Sequence, residues 1–200
     1  MPICKIIDGK YDGQFIYLNT NENVTVKKSF NKLRLDEGRF QQLPNFQVER
    51  NIWYITGPSG SGKSTYTNSV ANEWKKGKKA NQDIYIFSAL KEDDSLDKLK
   101  PKRIVIDDNL VSEPFGAEDF QDSLVIFDDI DVISNKSHRE AVFKVLNEIL
   151  EIGRHNNVSC IITNHLPTGG KDTRRVLNES HYIVYFPHSG SKKQINYLLT

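Results

Sequence analysis

The sequence predicts an α/β fold: a mainly parallel sheet flanked by helices and preceded by a short β-rich N-terminal segment. Three observations carry this reading. From residue 51 onward, apolar runs alternate with helical stretches, as strands buried on both faces do. The stretch 137–152 repeats its apolar residues at helical spacing. A glycine-rich loop joins the first buried run to the first helix.

Taken in order, residues 1–50 form a β-rich N-terminal preface packed on or extending the core. Its alternating stretches 14–18 and 24–26 read as hairpin strands, and Pro44 within QQLPNF interrupts it before the next element. Residues 51–200 form the main domain. Its buried runs are 52–56, 84–87, 104–106, 124–127, 158–163 and 182–186, with helices expected over 63–75, 137–152 and 171–180. In the middle helix Ala141, Val142, Val145, Leu146, Ile149, Leu150 and Ile152 form the stripe, and Gly153 is placed to cap its C-terminus.

Composition bounds the function. Lys+Arg of 27 against Asp+Glu of 26 gives a net charge of +1, which argues against a polyanion-coating protein. A hydrophobic share of 38% with ten Phe and eight Tyr describes a globular chain rather than a disordered one. No apolar run reaches the ~18–20 residues of a membrane span, so none is expected. The start MPICKIIDGK lacks the pattern of a signal peptide. Cys4 and Cys160 are too few for a disulfide framework or a zinc site, which predicts an intracellular, reducing compartment.

The loop reads Gly57-Pro58-Ser59-Gly60-Ser61-Gly62-Lys63-Ser64-Thr65 and fits G-x-x-x-x-G-K-[ST] between a strand and a helix. Glycines let the backbone curl with its N–H groups inward, and the helix N-terminus adds positive potential. The pattern therefore predicts a P-loop NTPase that binds a nucleotide with Mg²⁺, with no base preference, since the loop reads phosphates. Lys63 would reach the β- and γ-phosphates, Ser64 would ligate Mg²⁺, and Thr65 would contact the α-phosphate.

Such a site needs a carboxylate at a buried strand end. Two strand ends offer one: Asp107-Asp108 and Asp128-Asp129. The second is followed by a long helix and another buried strand, whereas the first runs into a loop-like segment without a crossover helix. Asp128 is therefore assigned to the Mg²⁺ shell through water, and Asp129 to polarising the attacking water. Asp107 and Asp108 are the minority candidates, otherwise a solvated strand end, and Asp131 reads as a solvated loop charge.

Strand 158–163 brings Thr163, Asn164 and His165 to the edge where the nucleotide sits. Asn164 is a candidate γ-phosphate sensor or else a turn amide; for His165, partner contact, loop packing and catalysis stand level. Arg154 precedes that strand and so lies about 20 Å away, at the opposite edge. It either pairs locally or acts in trans as an arginine finger in a ring. Arg174 and Arg175 lie near the nucleotide edge or an interface, or are solvated. Lys75, Lys76, Lys78 and Lys79, with Lys27, Lys28, Lys192 and Lys193, read as solvated clusters that a ring could turn toward DNA phosphates.

Together, GPSGSGKST, LVIFDDID, EIGRHNNVSCIITNHLP and TRRVLNESHYIVYFP resemble the poxvirus-type genome-packaging ATPases of large DNA viruses, in the FtsK–HerA branch of P-loop NTPases. The resemblance covers about residues 51–200. It implies a five-stranded core with an extra strand between the phosphate-loop strand and the Asp128 strand. It also implies a homo-oligomeric ring that hydrolyses ATP to move double-stranded DNA, without sequence specificity, into a capsid, with capsid portal proteins as partners. The setting it implies is the host-cell cytoplasm, a virus factory or the virion. Asn164 stands where this branch often has Gln, and further helical sequence is expected beyond Thr200. The alternatives are a nucleotide-binding scaffold with weak hydrolysis, Asp129 being short for a base, and a small-molecule kinase with 171–175 as its lid.

Overall fold

The computed structural model describes residues 2–17, 39–42, 50–77, 82–167, 171–186, 196 and 198. The chain divides into two compact units, Met1–Asn45 and Phe46–Thr200.

In the first unit, β1 (Pro2–Ile7), β2 (Phe15–Tyr17) and β3 (Arg39–Gln42) form an antiparallel sheet in the order β2-β1-β3. The link from β1 to β2 turns through Asp8 and Gly9, both at positive φ, and the Asp8 N–H donates to Asp12 Oδ1 at 2.9 Å. β2 falls within the strand expected over 14–18, and its hairpin partner is β1. The expected strand 24–26, Pro44, and Lys27, Lys28, Lys78, Lys79, Lys192 and Lys193 lie outside the described residues.

The second unit runs β4 (Ile52–Thr56), α1 (Lys63–Gly77), β5 (Ile84–Ser88), β6 (Lys102–Ile104), α2 (Asp108–Ser112), β7 (Leu124–Asp128), α3 (Lys136–Ile152), β8 (Ser159–Asn164), α4 (Lys171–Glu179) and β9 (Tyr182–Tyr185). Its strands form a six-stranded parallel sheet in the order β6-β5-β7-β8-β4-β9. β8 is the extra strand between the phosphate-loop strand β4 and the Asp128 strand β7. β4, β7 and β8 are buried along their whole length, which is why their sequences run apolar without alternation.

Side-chain alternation still sorts the two faces. Trp53, Ile55, Ile126 and Ile161 pack with Val70, Ala71 and Trp74 of α1. Tyr54, Val125, Phe127, Cys160 and Ile162 pack with Val142, Val145, Leu146 and Ile149 of α3. Among the described residues no helix is long and apolar enough to cross a membrane.

Three sequence expectations shift. The run 104–106 is not the strand: β6 is Lys102–Ile104, an edge strand paired with β5, and Val105 beyond it is 70% exposed. An edge strand has one neighbour and a weak burial pattern, so its apolar residues marked the wrong end. The segment after it is helical, because Asp107 accepts the N–H groups of Asn109 (3.0 Å) and Leu110 (3.2 Å) and caps α2. Asp107 is thus a cap rather than a solvated strand end.

The end of α3 differs as well. Ile152 is 43% exposed, and Gly153 has right-handed φ rather than the left-handed turn of a glycine cap. The closing carbonyls are taken by Arg50, whose guanidinium donates to Ile149 O, to Leu150 O at 3.4 Å and to Val158 O at 2.7 Å. A Cβ at Gly153 would collide with the Ile149 carbonyl oxygen and stand 3.3 Å from Arg50 Nη2, so glycine is needed here first to clear that carbonyl.

Candidate nucleotide site

The phosphate loop leaves β4 at Gly57 and enters α1 at Lys63. Gly60 (φ 73°) and Gly62 (φ 97°) lie where side chains are strained, so the curl depends on glycine there. Gly57 is fixed by space instead: a Cβ there would meet Phe186 Cβ at 2.7 Å and Ser61 Oγ at 3.0 Å. Its N–H donates to Asn164 O at 3.2 Å, tying the loop to the end of β8. Pro58, Ser59 and Ser61 complete the turn, closed by the Ser61 N–H on Pro58 O at 3.2 Å. Ser64 is half-buried and Thr65 exposed on the first turn of α1.

Lys63 is 6% exposed. Its Nζ donates to Gly57 O at 3.0 Å and Pro58 O at 3.4 Å, and lies 3.7 Å from Asp129 Oδ1. The cation of the loop and the acid that follows β7 therefore share one locus.

Asp128 is 2% exposed and accepts hydrogen bonds from Ser88 Oγ and Thr163 Oγ1, each at 3.0 Å. Burial pushes its carboxyl above the usual carboxylate range, and the neighbouring charge of Asp129 adds to this; the two hydroxyl bonds act the other way. Asp129 turns out of the strand at φ 45°, a left-handed conformation. Its N–H donates to Thr163 Oγ1 at 2.9 Å, its Oδ1 lies 3.2 Å from the same hydroxyl, and its Oδ2 lies 3.4 Å from His165 Nε2.

Asp131 is not the freely solvated charge the sequence suggests. Its Oδ2 accepts the His165 N–H at 3.2 Å, and its Oδ1 is 3.7 Å from His165 Nδ1. Asp129, Asp131 and His165 together offer three ligand atoms within 4.8 Å of one another.

The alternation that turns Thr163 toward Asp128 turns Asn164 to the α3 face. Asn164 Nδ2 donates to Tyr54 Oη at 3.4 Å, and Tyr54 Oη donates to Leu166 O at 3.1 Å. The fold thus gathers Lys63, Asp128, Asp129, Thr163 and His165, with Asn164 at the same strand end but engaged with Tyr54. Arg154 is exposed in the turn before β8, at the far edge of the sheet. Arg175 reaches back to Glu151 on α3 at 3.0 Å, and Arg174 is exposed on α4. Asp108 Oδ1 lies 2.9 Å from His138 Nε2, away from the loop cation.

The sequence reading passed over Ser88. It stands opposite Asp128 in the β5–β7 register, and a polar residue closing an otherwise apolar run was its signal.

A family model for the NACHT domain matches residues 51–195. The chain belongs to the NACHT family. The match begins at the edge of β4 and spans the loop, the Asp128 strand and β8, so the NACHT domain here is a P-loop NTPase that binds nucleotide. The relative "Uncharacterized protein V3" of Sputnik virophage is 41% identical over 192 residues, covering 95% of this chain and 76% of that protein.

Among solved structures, the cytoplasmic domain of EssC aligns at TM-score 0.53 and 16% identity over 82% of this chain. The chain spans 37% of that structure's length, and the likeness concerns the fold. The genome packaging NTPase B204 of Sulfolobus turreted icosahedral virus 2, in complex with AMPPCP, aligns at TM-score 0.47 and 14% identity, over 75% of this chain and 80% of that one.

Proposed function

We propose that this NACHT domain is an ATP-hydrolysing motor that translocates double-stranded DNA, packaging viral DNA into a capsid as part of a homo-oligomeric ring. The observation that carries the hydrolytic part is the meeting of Lys63 with Asp129 Oδ1 at 3.7 Å, beside the buried Asp128. The DNA part rests on the resemblance of the loop, Asp128 and β8 sequences to packaging ATPases, and on a virophage relative.

In this reading Gly57 through Thr65 cradle the phosphates, and Lys63 neutralises charge on the β- and γ-phosphates. Ser64 and Asp128 would hold Mg²⁺. The donor set fits: a hydroxyl and a carboxylate are hard oxygen ligands, and a cation beside Asp128 would offset the burial that disfavours its charge. Bound there, Mg²⁺ would neutralise the transferred phosphoryl group. Asp129 polarises the attacking water, steadied by Thr163 and His165. Asn164 senses the γ-phosphate by exchanging its bond to Tyr54, and Arg154 acts on a neighbour's nucleotide. Residues 1–50 are an accessory β-rich segment and 51–200 the ATPase domain, working within the host cytoplasm, a virus factory or the virion, where capsid portal proteins are the docking partners.

The test is steady-state ATP hydrolysis with and without long double-stranded DNA, for the native chain and Lys63→Ala. DNA-stimulated turnover that disappears in Lys63→Ala is the expected result. Turnover indifferent to DNA refutes the motor and leaves a nucleotide-binding scaffold.

A further inference from the structure

The loop fixes which way a nucleotide runs across the sheet. Lys63 meets Asp129 at the end of β7, and β8 and β7 lie on one side of β4. The terminal phosphate belongs on that side. β9 lies on the other side of β4, so the α-phosphate and the nucleoside beyond it run toward β9.

That side is aromatic. Phe186 follows β9, and its N–H donates to Thr56 O at 2.9 Å, which fixes it beside the loop. Its Cβ is the atom that a Cβ on Gly57 would meet at 2.7 Å, and its Cε1 would lie 4.0 Å from one on Gly62. Tyr66 follows Thr65 on the first turn of α1 and packs edge-on to Phe186, with centroids 6.0 Å apart and planes at 77°. Trp53 lies behind, edge-on to Tyr66 at 6.4 Å, and its own face is occupied by Tyr182, stacked at 4.4 Å. Tyr66 and Phe186 are half-buried, and among the described residues no ring is stacked on either.

We infer that Tyr66 and Phe186 form the base-side wall of the nucleotide site and hold the base by stacking rather than by its hydrogen-bonding edge. This rests on the phosphate-loop reading above and names the residues that set base preference at that site. Every base has a π-face, so stacking tolerates adenine and guanine alike, while a pyrimidine offers less surface. Of the two described rings of this wall, Tyr66 alone carries a side-chain polar group, its hydroxyl.

The test is calorimetric titration of the full chain in Mg²⁺ with ATP, GTP, CTP and inorganic tripolyphosphate. Tyr66→Ala is expected to weaken ATP and GTP by about 5- to 150-fold, the range that base stacking on an aromatic side chain converts to, with tripolyphosphate unchanged. Tyr66→Phe restores the affinity, Phe186→Leu weakens purine nucleotides in the same way, and the native chain binds ATP and GTP more tightly than CTP. The inference is overturned if both Tyr66→Ala and Phe186→Leu keep the native ratio of ATP to tripolyphosphate affinity within twofold. It is equally overturned if CTP binds as tightly as ATP, or if tripolyphosphate weakens in step with ATP. A native chain that does not bind tripolyphosphate fails at the phosphate loop itself, which separates the two readings.

Discussion

Replacing Thr163 by Val removes one hydroxyl and keeps the β-branched shape at the end of β8. That hydroxyl accepts the Asp129 N–H at 2.9 Å and has one proton to give, to Asp128 Oδ1 at 3.0 Å or Asp129 Oδ1 at 3.2 Å. A hydrogen bond to a charged carboxylate contributes about 1.5–3 kcal/mol, and a buried N–H left without an acceptor costs about 1–3 kcal/mol. Thr163 is fully buried, so water does not replace either bond. Allowing for relaxation and the extra methyl, Thr163→Val should lose about 3 kcal/mol of stability. In urea, with a slope of about 2 kcal/mol/M, the midpoint falls by about 1.5 M. Thr163→Ser keeps the hydroxyl and should lose about 1 kcal/mol for the missing methyl. Urea melts of the three proteins, followed by far-UV circular dichroism at pH 7, make the comparison. Val within about 0.5 kcal/mol of the native chain, or Ser as damaging as Val, would refute the assignment of both bonds to this hydroxyl.

Three other outcomes follow from the same geometry. Asp128 has a folded pKa above its unfolded one, so the stability tied to its protonation is complete below the unfolded value, about 3.9, and is lost as pH rises through the folded value. Asp128→Asn without Mg²⁺ should therefore outlast the native chain in urea at pH 7, with the gap closing near pH 3.5; a gap independent of pH contradicts this. Arg50→Met strips the carbonyls of Leu150 on α3 and of Val158, just before β8, of their donor and should cost about 2–3 kcal/mol in a thermal melt, while ATP affinity changes less than twofold. Burial pushes the Cys160 thiol up to about 12, so iodoacetamide should leave the Cys160 peptide unmodified at pH 8 in native buffer and alkylate it only through the unfolding range, as peptide mass spectrometry would register.

How much could be read from the chain depends on how local each constraint is. The phosphate loop is legible because its glycines answer to their own backbone angles and its strand and helix are adjacent in sequence. The stripe of α3 is legible because six of its seven named residues face one core; Ile152, the last residue of the helix, does not. Ser88 acquires its role from the β5–β7 register, and Arg50 caps a helix about a hundred residues later in the chain. Neither pairing is written in a local pattern. The edge strand β6 hides for a different reason, since half-buried strands lack the apolar run that betrays central ones. Thr163 and Asn164 were legible in principle: adjacent residues on a strand face opposite ways, so only one of the two could point toward Asp128.

The arrangement of Lys63 and Asp129 couples phosphate binding to the state of the acid. Lys63 spends its donors on Gly57 O and Pro58 O and its charge on Asp129. A phosphate at the loop competes for that same ammonium, and as a charged acceptor it outbids the two carbonyls. Drawing Lys63 off Asp129 removes the cation nearest its Oδ1, while the Thr163 hydroxyl and the His165 ring keep the carboxylate in place. In the proposed roles, Asp129 is thus freed from Lys63 when a phosphate takes that ammonium, and it keeps its position as this happens. A carboxylate held by Lys63 alone would swing away on the same event. In those roles Thr163 and His165 are the groups that hold Asp129 once Lys63 turns to phosphate, although neither belongs to the loop motif.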